Sequence, residues 1–122
     1  MLNQGGITKK SGYSARQILA NVDLQYSIGV VVAQAAGTDG VVKAGTPVTG
    51  DLDDRTTPFT KAGAGDAVGV LLHDVSVKDG DGNATLLIFG FVNTNRLADD
   101  VKALITSDVK EALAAKVTFL AV

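Results

Sequence analysis

Between residues 28 and 92 the apolar side chains come in short β-branched or aliphatic runs, each cut off within a few residues by Gly, Pro, Asp or Asn. Runs of that length cannot sustain a 3.6-residue period over the turns a helix needs in water, so this stretch is confined to strands and turns. Ile28-Gly29-Val30-Val31-Val32-Ala33 is the first strand, ended by the turn cluster Gly37-Thr38-Asp39-Gly40. Val41-Val42-Lys43 and Ala44-Gly45-Thr46-Pro47-Val48 follow as small strands outside any central sheet, because Gly and Pro restrict the second to an edge or a bend. Residues 51–61 read as a charged loop that 62–66 extend. Two apolar runs, 68–77 and 84–92, joined by Lys78-Asp79-Gly80-Asp81-Gly82-Asn83, predict a β-hairpin.

After Asn95 the period becomes helical, with Leu97, Val101, Leu104 and Ile105 on one face and Asp99, Asp100 and Lys102 on the other. Asn95 is placed to cap this helix. A second short helix over 108–115 follows a Ser107 cap, and residues 117–122 form a closing strand. The expected class is mainly β (α+β): a small domain over 26–122 whose core begins at Ile28, with a hairpin and one or two short C-terminal helices. Residues 1–25 are polar and Gly-bearing and read as a flexible N-terminal arm, in which 15–20 hold at most one helical turn.

Composition narrows the function. A chain of 122 residues, 46% hydrophobic and 20% charged, makes one globular domain with a single modest core. The formal net charge of −2, without a basic block, gives no field for a phosphate backbone, so no nucleic-acid partner is expected. No apolar run approaches the roughly 18 residues of a membrane span, and the first residues lack the apolar core of a signal peptide. No membrane partner is expected, and synthesis in the cytoplasm is. The absence of cysteine removes a disulfide framework, a thiolate metal site and a Cys nucleophile together.

Each chemical motif has a plainer explanation. Gly63-Ala64-Gly65-Asp66-Ala67-Val68-Gly69 precedes a strand and opens no helix, unlike a phosphate loop. Asp79, Asp81 and Asn83 match the first ligand positions of a calcium loop, but Ala84 replaces its glycine and Gly90 its bidentate Glu. His73 is the only histidine, and on a strand it points away from Asp74. Asp51, Asp53 and Asp54 form a solvated loop in which Arg55 offers a local salt link. No G-x-S-x-G, H-E-x-x-H or P-loop pattern occurs. The expectation is therefore no catalytic residues, no metal, no cofactor and no enzymatic activity.

The order of pieces from Ala44 onward carries a resemblance. Ala44-Gly45-Thr46-Pro47-Val48, a polar loop, Gly65-Asp66-Ala67-Val68-Gly69-Val70-Leu71, an Asp/Gly-rich hairpin, Thr85-Leu86-Leu87-Ile88-Phe89-Gly90, a helical stretch, Ser107-Asp108 and a closing β segment together resemble the lambda-type bacteriophage head decoration proteins and the related head-fibre base domains. The resemblance implies a β-clip-like fold, a homotrimer, and attachment to the major capsid protein over the local threefold axes of the assembled head. It implies a structural protein of the virion surface that stabilises the capsid. It also implies that residues 1–25 order on the capsid, with Ile7, Tyr13, Arg16, Ile18 and Leu19 as the contacting side chains. The alternative is a carbohydrate-binding head-fibre or tail adhesin domain, for which the six aromatic residues are a small supply.

Overall fold

A computed structural model describes residues 17–20, 24–63 and 65–122. Among them are eight strands: β1 (Tyr26–Val32), β2 (Val41–Val42), β3 (Pro47–Thr49), β4 (Thr60–Lys61), β5 (Gly69–Leu71), β6 (Val75–Ser76), β7 (Gly82–Asn93) and β8 (Val117–Leu120). Two short helices, α1 (Asp99–Lys102) and α2 (Ser107–Ala112), and the 3₁₀ turns Gln34–Ala36 and Thr94–Arg96 complete the mainly β domain.

The main sheet runs in the order β1-β7-β5-β3-β4, with β8 added parallel to the far end of β7. It also closes on itself. Phe59, immediately before β4, pairs with Val32 of β1: its N–H donates to the Val31 carbonyl at 2.7 Å, and its own carbonyl accepts from Ala33 N–H at 2.8 Å. Five strands thus form a small barrel, and closure removes the open edges that would otherwise invite pairing with other chains.

Residues alternate between two cores. Inside the barrel lie Val30 and Val32 of β1, Val48 of β3, Leu71 of β5, Leu86 of β7 and the Phe59 ring, all buried. Outside it, Val70 of β5 and Leu87 and Val92 of β7 pack with Leu97, Val101, Val109, Leu113 and Val117 from the C-terminal elements. Strands β5 and β7 are covered on both faces, which is why their sequences are continuous apolar runs. Each Val or Leu fully buried in this way contributes roughly 1.5–3 kcal/mol.

Several local expectations need correction. The apolar run 68–77 is not one arm of a simple hairpin. It breaks at Leu72, after which β6 pairs with β2, while only β5 pairs with β7. Strand β3 is not peripheral but lies between β4 and β5, with Pro47 at its first position, where a missing N–H is tolerated. The loop 51–61 ends in a buried phenylalanine and a strand. The first helical segment is a 3₁₀ turn followed by α1: Asn93 caps the turn by accepting from Asn95 N–H at 3.1 Å, and Ala98 precedes α1 without a side-chain cap. Helix α2 is capped by Thr106, which accepts from Val109 N–H at 3.4 Å, one position before the expected Ser107.

Packing also begins earlier than Ile28. Residues 17–20 run antiparallel to the end of β7: Asn93 N–H donates to the Ile18 carbonyl at 2.7 Å and Ala20 N–H to the Phe91 carbonyl at 2.8 Å. Ile18 and Leu19 are both buried in the outer core.

Candidate functional site

The positions singled out in the sequence are dispersed over the described residues and hold the backbone. Asp81 accepts from Gln34 N–H at 2.9 Å, and Gln34 donates its amide to the Lys78 carbonyl at 3.1 Å, so the Asp/Gly-rich turn is tied to the neighbouring 3₁₀ turn. Asp74 accepts from Ala44 N–H at 2.7 Å, while His73 stands exposed beside it in a bend. Asp51 accepts from Asp53 N–H, and Asp54 accepts from the hydroxyls of Thr57 at 2.7 Å and Thr56 at 2.8 Å. Those two hydroxyls, Thr57 foremost, hold the Asp54 carboxyl below the usual carboxylate range. Arg55 makes no salt link to this loop; its guanidinium donates to the Gly29 carbonyl at 3.5 Å.

The one ion pair among the described residues joins Lys43 to Asp100 at 3.0 Å, and that contact lowers the Asp100 pKa, the Lys43 hydrogen bond being the larger cause. Among the described residues no group of three or more His, Cys, Asp or Glu side chains could hold a metal ion, and no helix is long and apolar enough to cross a membrane. Of the expected capsid-facing side chains, Ile7, Tyr13 and Arg16 lie outside the described residues. Ile18 and Leu19 are inside the core, where they hold the fold together and are not presented to a partner.

A different feature stands out at one end of β7. Tyr26 faces Phe89 across the β1–β7 pair, but the next partners are Ser27 and Leu87, so Ile88 is an extra residue on β7. This bulge resets the alternation of the strand. Leu87 and Val92 are five residues apart and would face opposite sides of a regular strand, yet both pack in the outer core. Phe89 and Phe91 consequently turn away from that core. Their rings meet edge to face, with centroids 6.5 Å apart.

Register extends the apolar face across β8. Phe91 is level with Thr118 and Asn93 with Leu120, while Val117 and Phe119 point to the outer core. Tyr26 is 61% exposed, Leu24 53%, Phe89 46% and Leu120 36%. The run 84–92 predicted this strand; the bulge that turns its aromatics outward leaves no signature in the residues themselves. The arrangement can offer apolar contact and ring stacking.

The chain was compared with protein-family models and with curated proteins, and it matches none of either.

Proposed function

We propose that the chain is a bacteriophage capsid decoration protein, a cement that binds the assembled head as a trimer and stabilises it. The observation that carries this reading is that the segments resembling decoration proteins are the ones that build the body of the fold. Pro47 and Val48 form β3, Gly69 to Leu71 form β5, residues 85–90 run through the long central strand, Ser107 and Asp108 open α2, and the closing segment pairs with β7 as β8.

Such a protein acts by geometry and valency. Ordering one arm on a shell costs roughly 1–2 kcal/mol per residue in backbone entropy, so one arm alone binds weakly. Three arms on one trimer face each other's sites at an effective concentration near the millimolar range, and avidity exceeds single-arm affinity by about 10² to 10⁴. Because the clamp binds the assembled shell and not free subunits, it stabilises assembly by mass action, about 2.7 kcal/mol per site at a hundredfold excess over Kd.

The test is co-sedimentation of the full chain with expanded heads assembled from the major capsid protein of the phage that encodes it. Saturable binding in multiples of three, heads that open at higher temperature when decorated, and loss of binding when residues 1–16 are removed are the expected results. A chain that stays in the supernatant and leaves head stability unchanged overturns the reading.

The exposed Tyr26 and Phe89 rings favour one second reading, a carbohydrate-binding adhesin domain of a head fibre or tail, since exposed rings stack on the apolar faces of sugars. Reproducible glycan-array binding that disappears with Tyr26→Ser would select it.

A further inference from the structure

Residues 24–32, 84–93 and 117–122 contain no charged side chain, in a chain that is 20% charged. These are the segments that meet along β1, β7 and β8. Of the six large apolar residues exposed among the described ones, only Leu52 lies elsewhere. Leu24, Tyr26, Phe89, Leu120 and Val122 gather here, Val122 through hydrogen bonds to Asn93 and Asn95. We infer that this face is the contact between copies of the chain.

Three properties point to a second copy as the occupant. The first is area. Taking about 150–250 Å² for each aromatic residue and somewhat less for leucine, the exposed parts of Leu24, Tyr26, Phe89, Phe91 and Leu120 present on the order of 400 Å² of apolar surface. One side of a standard interface buries about 800 Å², of which roughly 60% is apolar, so the face is close to what a stable contact needs.

The second is charge. Side chains close to a rotation axis lie near their own equivalents, so a charge there would meet its like. The described strand residues of this face carry no charge and are enriched in aromatic rings, which is what such an axis accommodates, and they offer nothing to steer a partner of opposite charge. The third is rigidity. The rings stand on paired strands whose other side is packed in the core, so little ordering is needed on contact. The threefold arrangement of the copies rests on the reading as a shell-binding trimer; the contact itself rests on this face alone.

The experiment measures mass by light scattering behind size exclusion at fixed protein concentration, for the full chain and for Phe89→Asp, Tyr26→Ser and Leu52→Asp, with circular dichroism on each. The full chain and Leu52→Asp are expected to be trimeric. Phe89→Asp and Tyr26→Ser are expected to fall threefold in mass, to the monomer's 12.5 kDa, with unchanged spectra.

A full chain that is monomeric, or folded Phe89→Asp and Tyr26→Ser variants that keep the trimer mass, overturns the inference. Binding of these proteins to heads separates the two proposals. A trimer lost in Tyr26→Ser, together with a full chain that ignores heads, supports the contact and sinks the shell reading. Trimers that persist in both variants but no longer bind heads make the face a capsid contact and overturn the inference while the shell reading stands.

Discussion

Phe59 is the residue on which barrel closure can be tested most directly. Its backbone supplies both hydrogen bonds that join the β4 end of the sheet to β1, and its ring is fully buried among Val30, Val32, Val48, Leu71 and Leu86. Phe59→Ala leaves the backbone bonds possible but empties the centre of the barrel. A fully buried Phe→Ala change loses about 3–5 kcal/mol, combining the transfer of the ring to water with a cavity that short barrel strands cannot collapse. Against a total stability of roughly 5–15 kcal/mol, that is about a fifth or more of the whole.

For a chain of this length the unfolding entropy makes the loss equivalent to a fall in Tm of about 12–20 °C. The assay is thermal and urea unfolding at fixed protein concentration, with Leu52→Ala as the control. Leu52 is a large apolar side chain, partly exposed and away from the apolar face of β1, β7 and β8, and its truncation is expected to cost no more than about 1 kcal/mol. A Phe59→Ala loss below about 1.5 kcal/mol, or one equal to that of Leu52→Ala, would refute the closed barrel with Phe59 at its centre.

Other outcomes test the strand contacts, the cap and the carboxylates. At Gly69 an added Cβ would lie 2.6 Å from the Leu87 carbonyl, so Gly69→Ala forces β5 and β7 apart and lowers stability by about 2 kcal/mol or more, whereas Gly29, with nothing within 4 Å of its added Cβ, is neutral or slightly stabilised by alanine; urea midpoints compare the two. Thr106→Ala removes the cap of α2 and costs about 1 kcal/mol, read as a lower Tm with the spectrum otherwise unchanged. Asp54 and Asp100 both have folded pKa values lowered below the usual carboxylate value, so the stability they contribute is present above that usual value and is lost as pH falls through the lower folded value. Acid titrations of Asp54→Asn and Asp100→Asn are expected to show a shallower loss of stability below about pH 4 than the parent chain, and an unchanged slope for both would remove these carboxyls from the acid response.

The parts of the fold legible in sequence are those where local pattern and tertiary use agree. The strand from Ile28 and the run ending at Val92 read as strands because β-branched and aliphatic residues fill positions that the structure buries or pairs. Phe59 was not legible: a lone aromatic beside Thr57 and Pro58 in a charged loop has no period, and only closure of the barrel buries it. Ile18 and Leu19 read as contacts of a flexible arm and not as core for a similar reason, since two apolar residues in a polar segment carry no period either. The 68–77 run reads as one strand because its apolar residues are continuous, whereas its two halves serve different sheets. At the apolar face, the composition of 84–93 was visible but its direction was not, because one extra residue at Ile88 decides which way the rings point.

The alternation of Val70 with Leu71 and of Leu86 with Leu87 has a consequence for how the domain yields. A wall shared by two rooms cannot be moved for one of them alone. Loosening the barrel interior shifts the same strands that anchor the C-terminal helices, and the reverse holds equally, so the two cores are expected to melt in one transition. A pull applied at any one point is spread by that shared wall through the whole molecule before any piece of it gives way.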